Sequence, residues 1–278
     1  MPDSIKYFLL YSIKKLLQVL PTKKGKQTFS HYISSLFFKN FKFTKVVKIN
    51  EASLNIDFSD RIQTVYYLCD LYEPTTIQVC SELLPLASPS IYLDVGANVG
   101  LIALQISRHR PLTEGHLFEP DPKIFKSLSE NIQLNHLTKY VLNNMAVSDR
   151  TEDQLQFSQS PEASESGWGR LHNSNNLLAG PSISVPCTRI DDYLKLHNIA
   201  NVDLLKIDVE GAELQVLQGA LETLKNKKIK SIICEINEEA LAVFGHSGRD
   251  IKNFLHNLGF EENKKTEMNV TFSAKQDF

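Results

Sequence analysis

The side chains of this sequence best suited to chemistry are carboxylates at the ends of apolar runs. Asp94 lies in Tyr92-Leu93-Asp94-Val95, Glu119 follows His116-Leu117-Phe118, and Asp208 and Glu210 follow Leu204–Ile207. Glu235 interrupts Ile232-Ile233-Cys234-Glu235-Ile236. A carboxylate leaving an apolar strand is costly unless it is paired. Placed at strand ends, such groups can hold an ammonium, accept hydrogen bonds from vicinal hydroxyls, take a proton or ligate a cation.

The first two acids flank a glycine-rich turn, Gly96-Ala97-Asn98-Val99-Gly100. Gly96 permits a backbone conformation that a side chain would block, and Gly100 lets the following helix start pack tightly on the strand. The first N–H groups of that helix then face the crevice beyond the strand's carboxyl end. Glu119 comes 19 residues after Gly100, where a carboxylate suits the 2′- and 3′-hydroxyls of a ribose. A dinucleotide site wants G-x-G-x-x-G, but here Asn98 replaces the middle glycine and the last gap is one residue. The charge of Asp94 opposes a pyrophosphate and favours an ammonium. An adenosine with a zwitterionic amino-acid tail fits, which is S-adenosylmethionine; the competing reading is a purely structural turn in some other α/β protein.

These residues need strands and helices to position them. Strands are predicted at Ile91–Val95, His116–Glu119, Tyr140–Asn144, Leu204–Ile207, Ser231–Ile236 and Val270–Ala274. Between them fall helices opening after Asn98, at Asp121-Pro122, from Glu210-Gly211 through Leu224, and over Asp250–Asn257 with Gly259 beyond the end. Strands alternating with amphipathic helices predict an α/β fold around a mostly parallel sheet. The polar stretch from about 148 to 186 reads as a hairpin insertion whose tip covers a site. Upstream, Ala52–Phe58 alternates like a half-exposed strand and 62–86 is largely helical, with Pro74 as an interruption or first helical residue.

With these elements in place the chain resembles the FkbM-type methyltransferases of the class I S-adenosylmethionine-dependent fold. The resemblance covers roughly residues 55–274. It rests on Tyr72-Glu73-Pro74, on Asp94–Gly100, on Phe118-Glu119-Pro120-Asp121-Pro122, and on Asn131 with Leu134-Asn135. Ala146-Val147-Ser148-Asp149 adds to it, and Leu204-Leu205-Lys206-Ile207-Asp208-Val209-Glu210-Gly211-Ala212-Glu213 is its most specific part. It implies a Rossmann-like, seven-stranded, mostly parallel sheet flanked by helices with a final antiparallel strand. It also implies S-adenosylmethionine as methyl donor, usually O-methylation, and acceptors among sugars, glycolipids, polyketides and other small molecules.

Roles follow from the resemblance. Gly96, Asn98 and Gly100 would line the methionine half of the cofactor, Asp94 its ammonium and Glu119 its ribose. Asn144 and Met145, ending the third strand, fall where class I enzymes place the adenine edge. Asp208 and Glu210 fall where the fold places the transferring methyl group. Asp208 is then base or acceptor anchor, with Glu210 second; alternatively Asp208 orients the turn and Glu210 caps the helix. His172 in the insertion and His246 are bases that a lid could supply. Trp168 either stacks on a sugar face beside Arg170 or anchors its loop. Glu213 reads as an exposed helix charge. Glu235 pairs with a lysine or joins Asp208 in a magnesium site, but no metal is assigned.

Composition bounds the rest. The 278 residues are 42% hydrophobic and 22% charged, an ordinary globular composition. The cysteines, Cys69, Cys80, Cys187 and Cys234, form no CxxC pair, so they read as reduced thiols of a cytoplasmic protein rather than a zinc ribbon or disulfide framework. Residues 1–50 hold ten lysines against the single acid Asp3, a net +9, so the remainder carries −11 of the total −2. Ile5, Phe8, Leu9, Ile13, Leu16, Leu17 and Leu20 are spaced like one face of a helix that Pro21 would stop. The stretch Tyr7–Ile13 is too short to span a bilayer. The helix either lies on an anionic leaflet, at the inner face of the membrane, or packs on the protein with its lysines solvated. No nucleic-acid partner is expected, because no aromatic-basic platform accompanies the lysines. The expected organisation is a basic helical extension over 1–50, a strand and helix cap over 51–90, and a methyltransferase domain over 91–278. The expected function is O-methylation of a hydroxyl on a sugar, glycan or glycolipid. The alternatives are methylation of a soluble natural product or amine, and a non-catalytic binding module.

Overall fold

The structure is a computed structural model that describes residues 2–19, 23–37, 41–70, 72–160, 166–171, 180–266 and 268–275. Helices α1 (Asp3–Gln18) and α2 (Lys23–Phe37) precede an antiparallel hairpin of β1 (Thr44–Ile49) and β2 (Ala52–Asp57). Helices α3 (Arg61–Cys69) and α4 (Pro74–Leu83) follow. The central elements are β3 (Ser90–Val95), α5 (Leu101–His109), β4 (Thr113–Phe118), α6 (Pro122–Leu134) and β5 (Tyr140–Asn143). Next come β6 (Ala146–Val147), β7 (Glu152–Ser158), β8 (Arg170–Leu171), β9 (Ser182–Thr188) and α7 (Ile190–Leu196). The chain continues through β10 (Val202–Ile207), α8 (Glu213–Gly219), α9 (Leu221–Lys225), β11 (Ile229–Glu235), α10 (Glu238–Val243), α11 (Gly248–Asn257), β12 (Phe260–Lys265) and β13 (Asn269–Ala274).

The expected seven-stranded sheet is present, in the order β12-β13-β11-β10-β3-β4-β5. The pairs from β11 through β5 are parallel, and β13 opposes both its neighbours. Strand order reverses between β3 and β10, the point where open α/β sheets bind ligands. Period-two alternation sorts the side chains between two cores. Tyr92, Leu204 and Ile233 face one with Val79, Leu104 and Leu128 of α4, α5 and α6. Leu93, Val95, Leu205 and Ile207 face the other with Tyr193, Leu217 and Leu255 of α7, α8 and α11. Strands β7 and β9 pair antiparallel within a four-stranded sheet with β6 and β8.

Several expectations are corrected. The edge strand β12 has only one buried residue, Phe260, so its sequence carries no strand alternation. The helix expected from Glu210 starts at Glu213, because Glu210 (φ 57°) and Gly211 (φ 111°) adopt left-handed backbone, and α8 gives way to α9 at Ala220. Residues 62–86 are largely helical as expected, in two helices with Pro74 at the first position of the second. The expected 50/51 division falls in the β1–β2 turn, so the two segments share a hairpin. They also share a core, since Leu10, Phe41, Leu54 and Tyr92 belong to one buried cluster.

The first helix is also revised. Its apolar residues form two faces rather than one: Leu10 and Leu17 are buried, with Tyr7 and Ile13 packed beside them, whereas Ile5, Phe8, Leu9 and Leu16 are exposed. Lys14 is buried, not solvated, with its ammonium 2.5 Å from Asp70. Leu20 and Pro21 lie outside the described residues.

Candidate functional site

The sheet register assembles the site. Lys206 on β10 lies directly opposite Asp94 on β3 and Ile233 on β11. Because side chains alternate, Asp94, Lys206 and Ile233 share one sheet face, and Asp208 and Glu235 follow two residues further on. The Lys206 ammonium is 3.3 Å from Asp94 and 3.1 Å from Asp208, and its side chain is 2% exposed. Burial pulls its pKa down, but Asp208, Asp94 and Glu73 outweigh that and hold it well above the ordinary lysine value. Lys206 is the residue that sequence reasoning passed over. A lysine inside Leu204-Leu205-Lys206-Ile207 was the available signal, since a charge in a wholly buried strand must be paired.

A cleft opens at the carboxyl ends of β3, β4, β10 and β11. Asp94, Gly96, Asn98, Glu119, Met145, Asp208 and Glu210 all line it, together with Lys206, Glu73 and Glu235. Asn144, Gly100 and His246 stand away from the cleft lining. Asn144 does not line the cleft; its side-chain amide donates to the carbonyls of Glu119 and Pro120 and so braces the turn after β4. Gly100 does not line it either. A Cβ there would fall 2.7 Å from Leu128 Cδ1, so this glycine admits α6 rather than a closer strand. His172 lies outside the described residues. His246 is described but is not among the lining residues.

The glycine turn is stitched to its neighbours by backbone. Gly96 and Ala97 N–H donate to Phe118 O, and Asp208 N–H donates to Val95 O. Gly96 has φ 86°, and a Cβ on it would stand 1.8 Å from Asp208 O. The glycine is therefore required by the close approach of the two strand ends. Glu119 braces the same turn: one oxygen accepts from Asn98 N–H at 3.0 Å and the other from Asp121 N–H at 2.9 Å. Burial pushes its pKa up to about 8 despite those bonds. On α6, Asn131 accepts from Asn55 N–H and donates to Val99 O, while Asn135 bonds both Ser53 N–H and Ser53 O. These asparagines clamp β2 and the glycine turn to α6.

Glu213 is corrected outright. It is 1% exposed, and one carboxylate oxygen accepts from Val209 and Gly211 N–H. It thus holds the left-handed turn that presents Asp208 and Glu210. Burial raises its pKa to about 7. Burial, then Asp208, raise Glu210 to about 8, against the opposing Arg170 charge. Glu235 is also raised, first by burial and then by Asp208 and Glu210; one of its oxygens is buried without a hydrogen-bond partner among the described residues. Glu235 stands beside Asp208, not in a lysine ion pair among the described residues. Asp208, Glu210 and Glu235 each bring an oxygen within 4.8 Å of the others. That spacing suits a divalent cation and equally suits carboxyl groups sharing protons.

The insertion supplies one wall. Trp168, 49% exposed, lines the cleft with Phe157 and Leu171, and Gly167 packs against Ile62 of α3. Arg170 is buried, with its Nε lacking a hydrogen-bond partner among the described residues. All four cysteines are buried and free.

The residues present fit an S-adenosylmethionine. The cleft carries six carboxyl groups (Glu73, Asp94, Glu119, Asp208, Glu210 and Glu235) against one ammonium, Lys206. Burial raises Glu73, Glu119, Glu210 and Glu235, so these are acids that a cationic ligand would draw into their ionised form.

Residues 94–262 match the methyltransferase FkbM domain family. The 2-O-methyltransferase NoeI of Sinorhizobium fredii is 31% identical over 163 residues, which is 54% of this chain and 65% of that protein. The 31-O-demethyl-FK506 methyltransferase FkbM of Streptomyces tacrolimicus is 27% identical over 172 residues, 53% of this chain and 65% of that one. The hexuronic acid methyltransferase AglP of Haloferax volcanii is 27% identical over 144 residues, 52% of this chain and 54% of that one. The matches thus span slightly less than two thirds of the length of NoeI and FkbM and about half that of AglP.

Proposed function

This chain belongs to the FkbM methyltransferase family, and on that premise we propose that it moves a methyl group from S-adenosylmethionine to a hydroxyl of a sugar or glycan acceptor. The observation that carries the reading is the acid-lined cleft at the β3/β10 switch point, with Lys206 holding Asp94 and Asp208 together. Similarity to a 2-O-methyltransferase and to a hexuronic acid methyltransferase supports a hydroxyl of a sugar as acceptor.

When bound, S-adenosylmethionine supplies an electrophilic methyl carbon on a sulfonium. The chain's own groups do the rest. The turn Gly96–Asn98 and the Glu119 carboxylate would hold the methionine and ribose parts, with Met145 against the adenine. Asp94 is 1% exposed and already faces Lys206, so its contribution to the ammonium is mainly long-range charge. Methyl transfer is an in-line displacement, so alignment of donor and acceptor is the main task. The acceptor hydroxyl must lose its proton as it attacks. Asp208, with its side chain 26% exposed at the cleft, is the group we assign to accept it, and the Lys206 ion pair fixes its orientation. Trp168 would face the acceptor and offer it an aromatic surface, whereas Arg170 is buried behind the lining and does not reach it.

The test is calorimetry with S-adenosylmethionine and S-adenosylhomocysteine, followed by a cofactor assay against oligosaccharides, lipid extracts, amines and polyketides, with products read by mass spectrometry. Methylated oligosaccharide or glycolipid is the expected product. A methylated amine or polyketide alone would replace the acceptor assignment, and failure to bind either cofactor form would leave a scaffold. Repeating the assay with EDTA and with added magnesium shows whether the Asp208–Glu210–Glu235 group works through a cation.

A further inference from the structure

Helix α1 uses two opposite faces, and only one is spent on the protein. Tyr7, Leu10, Lys14 and Leu17 turn inward, toward Phe58, Tyr67 and Asp70. On the outer side Ile5 is 51% exposed, Phe8 69%, Leu16 70% and Val19 78%, with Leu9 beside them. Positions 5, 8, 9, 12, 16 and 19 follow the three- and four-residue spacing of a single helical stripe. Ser12, the polar member of that stripe, donates its hydroxyl to Phe8 O at 2.9 Å, so it has no unmet donor. Lys15, exposed beside the stripe, has its ammonium 5.6 Å from the centre of the Tyr11 ring.

We propose that this outer stripe docks the chain on an anionic lipid bilayer, with α1 lying flat in the interface. Charge decides the occupant. Residues 1–50 carry net +9 and the remainder −11. An anionic surface attracts the first part and repels the second, which orients the molecule with α1 down. A second copy would bring two net-positive segments together, and a nucleic acid would leave the apolar side chains without a partner. At 16 residues α1 is too short to span, and among the described residues no helix is long and apolar enough to cross a membrane. The two features together, an apolar stripe with a basic setting, are those of an interfacial helix. The inference is independent of the reaction at the cleft.

The experiment is co-sedimentation of the full chain with vesicles of phosphatidylcholine alone and of phosphatidylcholine mixed with phosphatidylserine. Binding is expected to the anionic vesicles, to be at least about tenfold weaker on neutral ones, and to fall as salt is raised. The double substitution Phe8→Ser and Leu16→Ser, both at exposed positions, is expected to cut vesicle binding about tenfold or more. Its circular dichroism, thermal midpoint and S-adenosylhomocysteine affinity should match the parent chain. Equal binding to both vesicle types, or undiminished binding by the folded double variant, overturns the proposal. So does a dimer in sedimentation velocity that the double variant converts to monomer, because the stripe would then be a protein interface.

Discussion

The Lys206 ammonium and the Asp208 carboxylate stand 3.1 Å apart on one face of the sheet, two residues from each other along the chain. The same ammonium is 3.3 Å from Asp94 on the neighbouring strand. One buried cation therefore joins the strand that starts the glycine turn to the neighbouring strand that ends at the cleft. The arrangement is costly to form, and it is far more costly to break by removing one partner.

Lys206→Met should accordingly destabilise the chain by about 3–5 kcal/mol, because the buried Asp94 would lose its counter-charge and face the half-buried Asp208 with nothing between them. Urea denaturation followed by circular dichroism measures this. A loss under about 1 kcal/mol would mean that water or side-chain movement compensates, and that the pair does not organise the site.

Asp208→Asn keeps the size of the side chain and removes its capacity to accept a proton. Turnover is expected to fall about 10²–10⁴-fold while cofactor affinity stays within a few-fold. Single-turnover kinetics and calorimetry separate the two. Unchanged turnover would move the proton-accepting role to Glu210 first and then to His172.

Glu119 and Glu210, each raised from 4.5 to about 8, Glu213, raised to about 7, and Glu235, raised further, bind protons more tightly in the folded chain than in the unfolded one. Their contribution to stability is fully present below the unfolded value and is lost as pH rises through the folded values. Between about pH 5 and pH 8 the thermal midpoint of the ligand-free chain should therefore decline. A cationic ligand favours the ionised carboxylates, so cofactor binding should release protons and tighten as pH rises over the same window. Calorimetry in buffers of different ionisation enthalpy reports the proton count. Proton uptake, or a midpoint that climbs across this window, would contradict the assignment of these carboxyls as protonated in the ligand-free chain.

Gly96→Ala places a methyl group 1.8 Å from Asp208 O in a backbone conformation that L side chains disfavour. A stability loss of about 3 kcal/mol or more is expected, with cofactor affinity lost alongside. Gly245→Ala is the control. Gly245 also has positive φ but nothing within 4 Å of a Cβ, so only the backbone strain of about 1–2 kcal/mol should appear there. Equal losses at both positions would show that strain alone, without the clash, accounts for the Gly96 requirement.

The alternation of apolar strands with amphipathic helices was enough to specify a mostly parallel sheet, because strand and helix repeat locally at periods of two and 3.6 residues, and the glycine turn and the acids at strand ends were legible as a contiguous motif with fixed spacing. Edge strand β12 escaped that reading, since a strand with one buried residue has no alternation to detect. What the linear pattern could not contain was pairing between strands. The register that sets Lys206 opposite Asp94 made an unremarked lysine the centre of the site. Backbone N–H groups of a left-handed turn converted Glu213 from an apparent surface charge into a buried brace. Likewise the composition of residues 1–50 identified a basic amphipathic arm, but only packing against α3 separated the face of α1 that is consumed from the face that remains exposed. Hydrophobic periodicity is written along the chain, whereas the partner of a buried charge is chosen by residues distant in sequence and adjacent only after folding.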